Sequence, residues 1–253
     1  MAKKFFTVRW ILLTLIVMAF AAIMIRLGFW QLDRLNQRRE INGFYITQMA
    51  MSPVNLNFSP DLPGLDGMDF RPALVVGEFN FAEQVVLRNK AWQGQPGGHL
   101  LTPLRISGTQ KAVIVDRGWV PLTDIIDNRL GQYYEPGVVE VRGAIRLTQD
   151  SYPAGSAVDP TFAPGEDRLT ALNLVNLDRL APQTTEELLP IFIQEQASPA
   201  STGLPYRITA EPDLTDGPHL SYAIQWFLFS AILLIGYPFL VRYQLITRGS
   251  REK

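Results

Sequence analysis

Ala223-Ile-Gln-Trp-Phe-Leu-Phe-Ser-Ala-Ile-Leu-Leu-Ile-Gly-Tyr-Pro-Phe-Leu-Val241 is a run of 19 residues without a charged side chain. A helix that crosses the hydrocarbon core needs about 20 apolar residues at about 1.5 Å each, so this run reads as a transmembrane span. A second uncharged run, residues 10–25 (WILLTLIVMAFAAIMI), lies near the other end. It is shorter, but the apolar pattern resumes after Arg26 through Leu27, Gly28, Phe29 and Trp30, and an arginine near a helix end can snorkel to the interface. No comparable stretch lies between them. The chain therefore reads as a membrane protein with one helix at each end and a long segment strung between.

A cleaved signal peptide competes with the first span: Lys3, Lys4 and Arg9 form a basic region and Ala19-Phe20-Ala21 resembles a cleavage site. Apolar residues continue past that site, however, and Trp10 and Trp30 bracket the run as interfacial anchors do, which favours a retained helix. Orientation is read from the second span. Glu211, Asp213 and Asp216 precede it, whereas Arg242, Arg248, Arg251 and Lys253 follow it, so the C-terminus is expected in the cytoplasm. Two spans put the N-terminus on the same side.

The expected organisation is a cytoplasmic N-terminus (1–9), a first span (10–30) continuing as a helix to about residue 50, an extracytoplasmic domain (51–218), a second span (219–241) and a cytoplasmic tail (242–253). Long loops translocate largely regardless of charge, so the middle segment can lie outside. With about ten residues ahead of the first span there is little room for a mitochondrial presequence, and a bacterial cytoplasmic membrane is the expected location.

The 253 residues suffice for two spans and one domain of ordinary size. A net charge of -1 argues against a nucleic-acid-binding surface, and the absence of cysteine excludes disulfides, thiolate metal sites, thioether-linked haem and cysteine nucleophiles. Residues 52–67, rich in Pro, Gly, Asn and Asp, read as a connector. Runs dense in Val, Ile and Leu follow at 73–79, 84–89, 100–106, 112–116 and 138–147 and read as strands. Their close spacing favours antiparallel hairpins, so the domain is expected to be β-rich α+β, an antiparallel barrel or sandwich. Residues 121–131 read as a short helix or loop, 177–189 as containing a helical piece, and 190–194 as a further strand.

Little of the sequence points to an enzyme. His99 and His219 are the available histidines, and neither lies near a nucleophile-elbow sequence. Gly94-Gln-Pro-Gly97-Gly98 lacks the Lys-Ser/Thr of a phosphate loop and reads as a hairpin turn. Asp116-Arg117-Gly118-Trp119 reads as a strand end with its tryptophan in the core. Glu135, Asp150, Asp159, Glu166 and Asp167 lack metal-loop spacing and read as a solvated surface.

His219 opens the second span and shares a helix face with Tyr222, Ala223, Trp226 and Ser230. Spacing alone favours an ordinary interfacial belt. Topology adds that Gly28, Trp30, Gln31 and Arg34 lie at about the same depth on the first span. Such a surface could suit an amphipathic porphyrin, with His219 for iron, rings for the macrocycle and arginine for propionates. Physics permits that reading without selecting it.

These segments resemble the surfeit locus protein 1 family of cytochrome c oxidase assembly factors. Leu27-Gly28-Phe29-Trp30-Gln31-Leu32-Asp33-Arg34 is similar to the family's first signature and His219-Leu-Ser-Tyr222-Ala-Ile-Gln225-Trp226-Phe227 to its second. Gly77-Glu-Phe79, Pro96-Gly97, Leu101-Thr-Pro-Leu104, Val115-Asp-Arg-Gly-Trp-Val-Pro121 and Val141-Arg-Gly143 fall between them in the family's order. The chain departs from the pattern at Gly98, where an aromatic is expected, and around 169–177, where aliphatics replace aromatics. The resemblance implies a non-enzymatic accessory protein that helps haem a reach the oxidase's largest subunit, with haem a synthase as a further partner and transient haem a as cofactor. It makes His219 the candidate iron ligand, surrounded by Tyr222, Gln225 and Trp226 and faced by Gly28, Trp30, Gln31 and Arg34. A scaffold or sensor whose β-domain binds a protein partner, and whose helices only tether it, is the alternative from another class.

Overall fold

The two apolar runs form two long helices, α1 (Val8–Ala50) and α2 (His219–Arg251). The computed structural model describes residues 8–58, 64–148, 171–172, 175–176, 180, 184, 186–198, 203–207 and 212–251. The chain divides into two compact units, Met1–Gly43 with Asp213–Lys253, and Phe44–Pro212.

In the first unit both helices are long and apolar enough to cross a membrane. The buried residues of α1, Ala21, Gly28, Leu35 and Asn42, recur every seven residues, and Val17, Met24, Gln31 and Arg38 between them are half-buried. On α2 the matching stripe is His219, Ala223, Trp226, Ser230, Leu233 and Tyr237. A seven-residue repeat is the pattern with which two helices keep one seam in contact along their length. The contacts run antiparallel: the hydroxyls of Thr14 and Tyr237 are 2.5 Å apart, Ser230 Oγ donates to Ala21 O at 3.3 Å, and Asn42 Nδ2 donates to Leu214 O at 2.7 Å. Small residues meet at the middle of the seam, where Ala21, Gly28, Ala223 and Ser230 are all buried. Between helices in lipid there is no hydrophobic drive to associate, and close backbone approach at small residues supplies the packing instead. The outward faces, with Leu12, Ile16, Phe20 and Ile23 on α1 and Ile224, Leu228, Ile232 and Phe239 on α2, stay exposed.

The second unit is β-rich. Its strands are β1 (Val54–Asn55), β2 (Pro72–Phe79), β3 (Val85–Trp92), β4 (Gln95–Ile106), β5 (Lys111–Pro121), β6 (Val138–Leu147), β7 (Ala171–Leu172) and β8 (Glu187–Glu195). The order is β1-β2-β6-β8-β5-β4-β3-β7, and an added β2–β4 pairing closes β2, β6, β8, β5 and β4 into a five-stranded barrel. Val75, Leu104, Ile106, Val113, Val115, Val141, Ile145, Ile191 and Ile193 fill it. Closure depends on a bare backbone at two crossings. A Cβ on Gly77 would lie 2.2 Å from Arg105 O, and one on Gly143 would lie 2.2 Å from Gln194 O. Gly98, the departure noted above, has its space filled, since a Cβ there would meet Val86 Cγ1 at 2.5 Å.

The barrel is not wholly antiparallel as expected. β8 runs antiparallel to β6 but parallel to β5, because a long excursion after β6 returns the chain between them. Three strand limits also shift. Residues 95–98 belong to β4, and the β3–β4 turn is confined to Gln93 and Gly94, both at positive φ. Residues 187–189, assigned above to a helical stretch, begin β8, and the rest of that stretch lies largely outside the described residues.

The third shift matters most. β5 does not end at Asp116 but runs on to Pro121, with a bulge at Arg117-Gly118 opposite Leu100, where Gly118 takes φ 106°. Bulges re-aim side chains, and here the Arg117 side chain is fully buried between the rings of Phe79 and Phe81, its Cζ 4.8 and 5.1 Å from their centroids. Its guanidinium donates to Tyr133 O at 2.5 Å and to Glu135 Oε1 at 2.8 Å. Glu135 also accepts from Arg207 at 2.7 Å, and Arg207 Nε lies 3.1 Å from Glu195 Oε1. Glu135, its side chain 41% exposed, is therefore tied into an ion-pair network with Arg117 and Arg207 instead of standing alone on the solvated surface expected; Asp150, Asp159, Glu166 and Asp167 lie outside the described residues. Trp119 is buried, as expected, and stacks on Tyr206.

Burial pushes the Glu195 carboxyl up to about 6, against the pull of Arg207 and with added repulsion from Glu135. Burial also acts upward on Glu135, but Arg117 and Arg207 outweigh it and hold that carboxyl below its usual range. Between about pH 4.5 and 6 the folded chain keeps a proton on Glu195 that the unfolded chain has lost, so stability falls as pH rises through that window. The amount is about 2 kcal/mol at about 1.4 kcal/mol per pH unit. Glu135 acts in the opposite sense and only below about pH 4.5, where its ion pairs are lost as pH falls. Urea denaturation of wild type and Glu195→Gln at pH 4.5 and 6.5 checks this: the variant should lose most of the difference that wild type shows.

Candidate functional site

The first unit brings three of the signature residues together. His219, the first residue of α2, is half-buried, and its Nδ1 lies 2.9 Å from Gln31 Oε1 on the seam of α1. An amide oxygen only accepts, so Nδ1 is the donor in this contact; in the neutral ring Nε2 then carries the lone pair. One turn further along, Gly28 is buried against Phe227; a Cβ on Gly28 would lie 2.6, 2.7 and 2.9 Å from three carbons of that ring. Phe227 in turn packs edge-on to Phe29, with centroids 5.3 Å apart.

The other predicted residues lie around this centre without being hydrogen-bonded to it. Trp30 is 44% exposed and has the Arg34 guanidinium 5.7 Å from its ring centroid, a cation–π pair along α1. Arg34 also donates to Gln37 Oε1 at 3.0 Å. Tyr222 is 46% exposed, Gln225 is exposed, and Trp226 is half-buried with its ring edge-on to Phe229. No side-chain hydrogen bond among the described residues joins Tyr222 or Gln225 to His219.

A polar clamp that sequence reading missed holds the segment leading into His219. Arg38 donates to Asp213 Oδ2 at 2.7 Å and to the backbone oxygens of Asp213 and Thr215. Arg39 donates two hydrogen bonds to Asp216 Oδ2, at 2.9 and 2.7 Å. Asp213 is held below the usual carboxylate range first by the Thr215 hydroxyl and amide, and Asp216 by Arg39. The Asp213-x-Thr215 spacing signals a local turn, but nothing in sequence paired it with residues some 175 positions earlier.

What can this arrangement hold? A bare cation needs several protein donors, and the described residues contain no group of three or more His, Asp or Glu side chains fit for one. A metal already bound in a macrocycle needs a single axial ligand, and a neutral imidazole with an oriented second nitrogen supplies it. In the barrel unit His99 is buried with Nδ1 2.9 Å from Asp116 Oδ2, an internal hydrogen bond.

Two membrane-length helices with an imidazole on their seam, and a closed five-stranded barrel in the sequence that separates them, define a two-helix barrel protein. The chain belongs to the SURF1 family, whose profile matches residues 18–231. It is 23% identical to a SURF1-like protein of Monosiga brevicollis over 92% of this chain and 87% of that protein. An uncharacterized SURF1-like protein of Mycobacterium bovis is 27% identical over 96% of this chain and 87% of its own length. The cytochrome oxidase assembly protein SHY1 of Saccharomyces cerevisiae is 26% identical over 42% of this chain and 27% of its own length.

Proposed function

We propose that this chain is a non-enzymatic assembly factor for cytochrome c oxidase, anchored in the bacterial cytoplasmic membrane by α1 and α2 with both termini inside and the barrel outside. Its cargo is haem a, taken from haem a synthase, held transiently at the outer end of the helix pair and passed to the largest oxidase subunit. The observation that carries this reading is the His219–Gln31 contact, which leaves one imidazole nitrogen available at the end of two membrane-length helices. The yeast relative's name, a cytochrome oxidase assembly protein, supports the destination. His219 would ligate the iron, Trp226 and Tyr222 would offer ring surface, Trp30 with Arg34 would meet the polar edge, and lipid would surround the rest.

Two measurements test the proposal. Deleting the gene should lower the haem a absorbance of the membranes' oxidase, and unchanged spectra would refute an assembly role. His219→Ala, expressed with haem a synthesis intact, should purify without the haem that wild type retains; equal occupancy would remove His219 from the site.

A further inference from the structure

An imidazole offers two nitrogens, and the helix pair selects one. Gln31 Oε1 faces Nδ1 at 2.9 Å from the half-buried seam of α1, three residues from Gly28, which lies against the Phe227 ring. The other nitrogen is bordered by a residue without a side chain. Gly217, at φ 66°, would place a Cβ 3.5 Å from His219 Cδ2 and 3.7 Å from Nε2, ordinary contact distances, so a side chain there would lie against the free edge of the ring. One edge of the ring is thus tethered and the other left bare.

We propose that Gln31 is the positioning residue of His219: it holds the imidazole in the Nδ1–H tautomer and fixes the ring so that Nε2 presents its lone pair over Gly217 to an iron porphyrin. This rests on the cargo reading above for the identity of the ligand, but not for the tautomer. An acceptor that takes the proton-bearing nitrogen's hydrogen bond orients a ligating histidine and raises its basicity, and losing one typically costs about 10–100-fold in affinity. A neutral amide at that position takes no proton from the ring, whereas a carboxylate would accept the same hydrogen bond more strongly.

The chain's two histidines make the ring directly observable. Nitrogen-15 spectra of histidine-labelled full-length protein in phospholipid nanodiscs, at about pH 8.5 where imidazole is neutral, should show a protonated Nδ1 and an unprotonated Nε2 for His219, assigned by loss of its signals in His219→Ala. Gln31→Leu should release that preference and Gln31→Glu should keep it. In the same nanodiscs, iron protoporphyrin IX should bind Gln31→Leu about 10–100-fold more weakly than wild type and Gln31→Glu about as well. An unchanged tautomer in Gln31→Leu overturns the proposal, as does a changed tautomer with undiminished porphyrin affinity in a protein where His219→Ala does lose affinity. If His219→Ala binds the porphyrin as wild type does while the tautomer still responds to Gln31, the positioning stands and the cargo reading falls.

Discussion

Gly28→Leu should abolish haem retention by the purified protein and reduce oxidase maturation to the level of a gene deletion, while leaving the barrel folded. Even a Cβ at this position would sit 2.6 Å from Phe227, closer than side chains approach, and Phe227 is braced edge-on by Phe29. Overpacking of this kind costs about 1–3 kcal/mol or forces the backbones apart. Separation is the cheaper outcome for a helix pair whose outer faces are free, and it acts within one turn of Gln31. A shift of about 1 Å would stretch the 2.9 Å His219–Gln31 contact beyond hydrogen-bonding range. Gly28→Ala should give a graded version, because Phe227 can yield to a methyl by rotating. The measurement is haem content of each purified variant with the circular dichroism of the barrel as control; full occupancy in Gly28→Leu would show that the close approach is dispensable.

The helix seam shows where reading a sequence succeeds and where it stops. Length and absence of charge located both helices, and the density of Val, Ile and Leu in residues 138–147 located β6 to the residue, since each signal is local. The membership in the SURF1 family was likewise legible from short signatures at both ends. The seven-residue spacing of Ala21, Gly28, Leu35 and Asn42 was also present in the sequence, but a repeat names a face and not its partner. That Gly28 meets Phe227, or Gln31 meets His219, depends on the register of two helices nearly 200 residues apart. Signature membership likewise does not tell which side chains meet: Tyr222, Gln225 and Trp30 belong to the same two signatures as His219 and Gln31, and helix rotation leaves them exposed. In the barrel, the apolar run ending at Asp116 and Arg117 gave no hint of a bulge, because the bulge is set by the partner strand's register and by Gly118.

Arg117→Met should destabilise the barrel by about 3–5 kcal/mol, the range for breaking one side of a buried ion pair. The guanidinium is fully buried and donates to Tyr133 O, to Glu135 Oε1 and, at 3.3 Å, to Gln84 Oε1. Tyr133 O would lose its donor, and the faces of Phe79 and Phe81 would lose the cation between them. Glu135 would keep Arg207 and Gln84 would keep the Thr102 hydroxyl, which holds the loss below that of a fully stranded charge. Met fills much of the same volume, so the cost is polar and not a cavity. For a domain of this size the loss corresponds to a drop in thermal midpoint on the order of 10 °C. Hydrogen exchange of the full chain in detergent should place the loss in β2, β4 and β5, the strands around Arg117, with the amides of α1 and α2 unaffected. Glu135→Gln should cost less, because its carboxylate is partly exposed and the amide oxygen can still accept from Arg117. Equal losses in the two variants would mean that the Arg117–Glu135 pair, and not the buried guanidinium's wider set of contacts, fixes the stability of this corner of the barrel.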